Sequence, residues 1–122
     1  MLLVDDEVDF VSTLAERLRL RGIEAETAND GMDALRRIAA AAPHVVVLDL
    51  MMPGMGGIEV LKHIKRDHPH IAVILLTGIG STSEATEGIR QGAVDYLIKP
   101  LQIAELIQKI EEAVEKARGG VS

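Results

Sequence analysis

Acidic side chains directly follow two aliphatic runs in this sequence. Asp5 and Asp6 follow "MLLV" (1–4), and Asp49 follows "HVVVL" (44–48) before a turn rich in proline and glycine. Two like charges about 4 Å apart repel by roughly 4 kcal/mol at an effective dielectric constant near 20. Such a cluster persists only if a cation lies among the carboxylates or one of them takes a proton. The pattern therefore predicts a divalent metal site, with Asp49 as a carboxylate able to form an aspartyl-phosphate.

Two more polar residues end later aliphatic runs. Thr77 follows "IAVILL" (71–76), and Lys99 follows "AVDYLI" (93–98). A hydroxyl and an ammonium group facing a metal are suited to holding a phosphoryl group. Mg²⁺ fits this set, with Mn²⁺ as a substitute, because it accepts one or two carboxylates, a carbonyl, waters and a phosphate oxygen. Calcium would require six to eight oxygen ligands.

The elements that must position these residues alternate along the chain. Periodicity predicts strands at 1–4, 23–28, 45–48, 71–76 and 93–98, and helices at 8–21, 32–42, around 58–64, at 81–92 and at 101–118. Strands and helices alternating through short connections predict a parallel sheet with right-handed crossovers. The fourth strand has no polar residue, so it should be buried on both faces. Such sheets bind ligands at the carboxyl ends of their strands, where the polar residues lie.

Composition excludes several classes of protein. The 122 residues allow a single domain, and the net charge of −6 argues against binding to nucleic acid or to an anionic membrane. Aromatic residues make up only 2%, which leaves little for stacking on bases. The chain has no cysteine, so thiolate catalysis and disulfides are excluded. No membrane span or signal peptide is predicted, and the expected location is the cytoplasm.

Four motifs together resemble the receiver domain of two-component response regulators of the chemotaxis-regulator type. They are "LLVDDE" (2–7), "VVVLDLMMPGMGG" (45–57), "LLTG" (75–78) and "GAVDYLIKP" (92–100). The resemblance covers residues 1–118 and leaves 119–122 as a C-terminal tail or the start of a linker. It implies a doubly wound, flavodoxin-like α/β/α fold with five helices and the strand order 2-1-3-4-5.

The resemblance also implies a metal and phosphoacceptor site. Asp49 would accept a phosphoryl group from a sensor histidine kinase or a phosphotransfer protein. Mg²⁺ would be held by the side chains of Asp6 and Asp49 and by the backbone carbonyl of Met51, with Asp5 acting mostly through a bound water. Thr77 would contact the phosphoryl oxygens.

Three further roles follow from the same resemblance. Lys99 would contact the phosphoryl oxygens, and the peptide bond before Pro100 would be cis. Tyr96 and Thr77 would form a switch that repacks the surface of helix 4, strand 5 and helix 5.

The expected partners are a downstream effector or a fused output domain, together with a phosphorylation-dependent homodimer. The predicted function is a signalling switch that turns over no external substrate.

Two other functions and a purely structural interpretation compete with the switch. A phosphohydrolase of the haloacid-dehalogenase type also forms an aspartyl-phosphate, but it needs a second Asp where this chain has Met51, and it needs a cap domain. A flavodoxin-like electron carrier needs a phosphate loop after the first strand and rings to hold the flavin. Singly, each Asp could be a helix or turn cap, and Tyr96 could be an ordinary ring at the edge of the core.

Overall fold

The computed structural model describes residues 1–117, so the predicted tail at 119–122 lies outside the described residues. Five strands alternate with five helices. In chain order they are β1 (Leu2–Val4), α1 (Val8–Arg19), β2 (Glu26–Ala28), α2 (Gly31–Ala40), β3 (Val45–Asp49), α3 (Gly57–Asp67), β4 (Ala72–Thr77), α4 (Thr82–Arg90), β5 (Asp95–Ile98) and α5 (Ile103–Ala117).

The strands form one parallel sheet in the order β2-β1-β3-β4-β5, which confirms the predicted fold class. The order reverses between β1 and β3, since the chain moves first to one side of β1 and then to the other. Val4 of β1 lies opposite Leu48 of β3, so these two strands end side by side. This is the position where doubly wound sheets bind their ligands.

Two aliphatic layers, one on each face of the sheet, form the core. Alternate residues of β3 point to opposite faces: Val46 and Leu48 pack with α2, α3 and α4, whereas Val45 and Val47 pack with α1 and α5. All six residues of β4 are buried, which confirms the prediction for the run at 71–76. Each fully buried Leu or Ile side chain contributes roughly 1.5–3 kcal/mol, so these layers fix how the strand ends are arranged.

The largest boundary difference lies between α1 and β2. The predicted strand at 23–28 is shorter, because the N–H of Ile23 donates to the carbonyl of Leu18 and completes the end of α1. Gly22, the predicted helix stop, has a φ of +82°, the left-handed conformation common after a helix end. Residues 22–23 therefore belong to the helix terminus.

Within residues 1–117, no helix has the length and apolar character needed to cross a membrane.

Gly57 allows α3 to begin directly against the end of β3. A Cβ atom at Gly57 would lie 2.5 Å from the carbonyl oxygen of Asp49 and 2.6 Å from the Cα of Leu50, both backbone atoms that cannot rotate away. We expect Gly57→Ala to destabilise the fold by about 1–3 kcal/mol through overpacking, as measured by urea unfolding. Gly56→Ala is the matched control, because its nearest neighbour would be 4.0 Å away. Equal stabilities for the two variants would contradict this prediction.

Candidate functional site

Three carboxylates meet where β1 and β3 end. Asp5 and Asp6 follow β1, and Asp49 is the last residue of β3. One oxygen from each of these side chains lies within 4.8 Å of the others. Asp5 and Asp49 are almost completely buried, at 1% and 4% exposure, and Asp6 is more exposed. The predicted convergence of three acids is therefore present in the folded chain.

Asp5 is held by backbone and side-chain hydrogen bonds. Its Oδ1 accepts from the N–H of Glu7 at 2.9 Å, and its carbonyl accepts from the side-chain amide of Asn29 at 3.2 Å. Its Oδ2 lies 2.7 Å from Lys99 Nζ, which is ion-pair distance, yet the angles do not make this contact a directed hydrogen bond. A buried oxygen with no directed donor suits a cation, so the site fits a divalent metal.

Asp49 is buried at the end of β3 and is hydrogen-bonded to the backbone. Its Oδ1 accepts from the N–H of Met51 at 3.3 Å, a short turn that fixes the side chain. Burial raises the pKa of Asp49 to about 6, and the negative charge of Asp5 adds to the increase. Lys99 and the Met51 N–H act in the opposite direction but do not cancel these effects. The carboxyl group therefore takes up a proton more readily than an ordinary Asp, and a bound divalent cation would take the place of that proton.

Lys99 provides the positive charge of the site. It follows β5, and its Nζ lies 2.7 Å from Asp5, 2.8 Å from Glu7 and 3.8 Å from Asp49. Burial lowers the pKa of Lys99, but the contacts with Asp5, Glu7 and Asp49 outweigh burial and hold the pKa above its usual value. Lys99 is thus a permanent cation. The peptide bond that joins it to Pro100 is cis.

Thr77 and Tyr96 lie on the neighbouring strands. Thr77 ends β4 and is fully buried, and its hydroxyl donates to the carbonyl of Ser81 at 3.2 Å, in the loop before α4. Tyr96 lies on β5 opposite Leu75 and packs, half-buried, against the core layer formed with α2, α3 and α4. Thr77 therefore lies at the same edge of the sheet as the acids. Its hydroxyl is hydrogen-bonded to the carbonyl of Ser81, at the beginning of α4.

The sequence interpretation missed three residues that shape the site. Glu7 pairs with Lys99, the Phe10 ring lies 4.5 Å from Lys99 Nζ, and Asn29 bonds the backbone of Asp5. Glu7 and Phe10 carried a weak signal, because they lie one helical turn apart immediately after the acid pair. Asn29 carried none, since its partner is 24 residues away in sequence.

The doubly wound parallel sheet, with acids and one lysine at the point where its strand order reverses, places the chain among the flavodoxin-like α/β proteins. Comparisons with known proteins assign the family. The model of the response regulator receiver domain matches residues 1–111. The chain belongs to this family, and it is a phosphorylation-dependent signalling switch.

Individual relatives agree with this assignment. The chain is 35% identical over 122 residues to the transcriptional regulatory protein PrrA of Mycobacterium leprae, covering all of this chain and 52% of that protein. It is 38% identical to the nitrogen assimilation regulatory protein NtrX of Azorhizobium caulinodans, covering 97% of this chain and 26% of that protein. The chain therefore spans from about a quarter to about half the length of these relatives.

A solved structure gives the same result. The receiver domain of NtrX from Brucella abortus superposes with a TM-score of 0.90 at 39% identity, covering 93% of this chain and 97% of that one. These matches are to signalling domains, and they give no support to the alternative of a haloacid-dehalogenase-type phosphohydrolase.

Proposed function

We propose that this receiver domain, residues 1–118, accepts a phosphoryl group on Asp49 in a reaction that depends on Mg²⁺. The observation that carries the proposal is the buried Asp49 carboxylate, with two other acids within 4.8 Å and the Lys99 ammonium 3.8 Å away. Burial among like charges raises the free energy of an ionised carboxylate, and carboxylates perturbed in this way cluster at functional sites.

The metal would be held by Asp6, Asp49 and the backbone carbonyl of Met51, with Asp5 contributing through a water. Bound there, Mg²⁺ would supply positive charge that offsets the negative charge of the carboxylates and of a phosphoryl group, and Mn²⁺ would substitute for it. The observations that support a cation are the buried Asp5 oxygen without a directed donor and the raised pKa of Asp49. The Met51 side chain is 55% exposed and so lies at the surface of the protein.

The side chains of the protein carry the transfer itself. A carboxylate oxygen of Asp49 attacks the phosphorus of a phosphohistidine on a kinase or phosphotransfer partner. The new P–O bond forms as the P–N bond breaks, and the electron pair of the broken bond goes to the imidazole nitrogen. Lys99 stabilises the negative charge on the phosphoryl oxygens.

Thr77 and Tyr96 would transmit the change to the surface. For the Thr77 hydroxyl to reach the phosphoryl group, it must leave the carbonyl of Ser81 that it now contacts. The Tyr96 ring then moves into the space beside β4, because packed interiors do not leave a void. The consequence is a rearranged surface on α4, β5 and α5.

That surface would contact the output partner. It exposes apolar side chains at Ile89, Val94 and Ile98. The partner is a downstream effector or an output domain fused beyond residue 118, or a second copy of the chain. Light scattering with and without beryllofluoride tests the homodimer, and an unchanged mass would exclude it.

A small phosphodonor with Mg²⁺ tests the reaction. Intact-mass measurement should show one added phosphoryl group on the wild-type chain and none on Asp49→Asn, because an amide oxygen is a poor nucleophile. Chelation of Mg²⁺ should also prevent the adduct. Steady hydrolysis of a phosphomonoester with no adduct, or an adduct that persists in Asp49→Asn, would overturn the proposal.

A further inference from the structure

Lys99 has an acidic partner outside the metal and phosphoacceptor cluster. Glu7 Oε1 accepts a hydrogen bond from Lys99 Nζ at 2.8 Å, whereas the Asp49 oxygen lies 3.8 Å away, beyond hydrogen-bond distance. Glu7 and Lys99 are 92 positions apart in sequence, so only the fold brings them together. Asp5, at 2.7 Å, is the other close partner. The ammonium group therefore lies closer to Asp5 and Glu7 than to Asp49.

The beginning of α1 is arranged around this contact. Glu7 occupies the N-cap position of α1, but its side chain caps no backbone N–H, and Glu is not among the residues favoured there. Phe10 follows in the first helical turn, and the centre of its ring is 4.5 Å from Lys99 Nζ, within the range of a cation–π contact. Lys99 thus contacts Glu7, Phe10 and Asp5 at the same time.

Resting on the proposed function, we propose that Glu7 is a positioning residue that holds the Lys99 ammonium against the Phe10 ring and competes for it with the phosphoryl group on Asp49. An ammonium group has three N–H donors; one bonds Glu7, and Asp5 lies at ion-pair distance. A phosphoryl group on Asp49 introduces a stronger anion that attracts Lys99.

Glu7 is the partner that Lys99 releases. The Glu7 side chain is 62% exposed, so water can solvate its carboxylate when the ion pair opens. The Asp5 side chain is only 1% exposed, so bulk water cannot solvate its carboxylate in the same way if Lys99 moves away. Removing the charge of Glu7 therefore raises the free energy of the state in which Lys99 contacts Glu7. It does not change the free energy of the state in which Lys99 contacts the phosphoryl group.

The test is the affinity of the full chain for beryllofluoride at saturating Mg²⁺, measured by isothermal titration calorimetry. Glu7→Gln keeps the size of the side chain and removes its charge. We expect this variant to bind beryllofluoride about 1.5- to 5-fold tighter than wild type at low ionic strength, the range that corresponds to one exposed ion pair. The gain should nearly disappear in about 1 M salt, where exposed charges are screened within roughly 3 Å.

Asp9→Asn is the matched control. Asp9 lies in the first turn of the same helix, is exposed, and has no ion pair within residues 1–117. Asp9→Asn therefore changes the net charge by the same amount as Glu7→Gln, but it does not release Lys99. Its affinity should equal that of wild type. If Glu7→Gln binds no tighter than wild type, matches Asp9→Asn, or keeps its gain in high salt, Glu7 does not compete for Lys99. Failure of the wild-type chain itself to bind beryllofluoride would instead overturn the proposed function.

Discussion

Metal-free Asp49→Asn protein is expected to be more stable than wild type by about 3 kcal/mol at pH 8. The reason is the pKa of Asp49, which burial and the neighbouring Asp5 raise from 3.8 to about 6. Each pKa unit corresponds to about 1.4 kcal/mol between the two protonation states. Asparagine resembles the protonated acid and avoids burying a charge, and its oxygen can still accept from the N–H of Met51.

The sign of the pH dependence follows from the same shift. The folded protein binds a proton on Asp49 more tightly than the unfolded chain does. The stabilising contribution of that proton is therefore fully present below pH 3.8 and is lost as the pH rises through about 6. The difference in unfolding free energy between the variant and wild type should grow between pH 4 and pH 7 and then level off. Urea unfolding in EDTA at pH 4.5 and pH 8 measures it.

Two further measurements make this prediction specific. Mg²⁺ should stabilise wild type more than Asp49→Asn and so close the gap, because a ligand that binds the folded state stabilises it. Asp95→Asn should instead lower the free energy of unfolding at pH 8. Burial raises the pKa of Asp95, but its bonds to Lys109 and to the Tyr96 N–H outweigh burial and hold that pKa below its usual value. An Asp49→Asn protein no more stable than wild type in EDTA at pH 8 would contradict the assignment.

Lys99→Met is expected to slow phosphorylation of Asp49 by a small phosphodonor about 10²- to 10³-fold. This is the typical cost of removing one preorganised donor to a developing negative charge. Methionine retains a flexible apolar side chain but removes the ammonium charge, and with it the cation–π contact with Phe10. The rate is measured by intact mass spectrometry at saturating Mg²⁺, with far-UV circular dichroism to confirm that the variant is folded.

Lys109→Met is the matched control for this prediction. Lys109 is also a paired lysine, since its Nζ lies 2.7 Å from Asp95, but it lies on α5 away from the three acids. Its substitution should leave the phosphorylation rate within about two-fold of wild type, since surface substitutions away from a site have small effects. Equal phosphorylation rates for Lys99→Met and wild type would show that Lys99 takes no part in the reaction.

Local patterns in the sequence determined the elements and the candidate chemistry. Hydrophobic periodicity is a local property, so the five strands, the five helices and the complete burial of β4 were predicted from short windows. Asp5, Asp6, Asp49 and Lys99 were identified because each follows a predicted strand, and a parallel sheet brings such ends to one edge. The resemblance supplied the strand order and the roles of these residues.

Tertiary structure alone decided how these groups interact. The short β2 depends on an N–H that bonds the end of α1, and the direction of the Thr77 hydroxyl depends on the loop before α4. The contact of Glu7 with Lys99 joins positions 92 residues apart, and the raised pKa of Asp49 arises from burial and from Asp5. These properties depend on distances and solvent exclusion between distant segments, which no local pattern in the chain encodes.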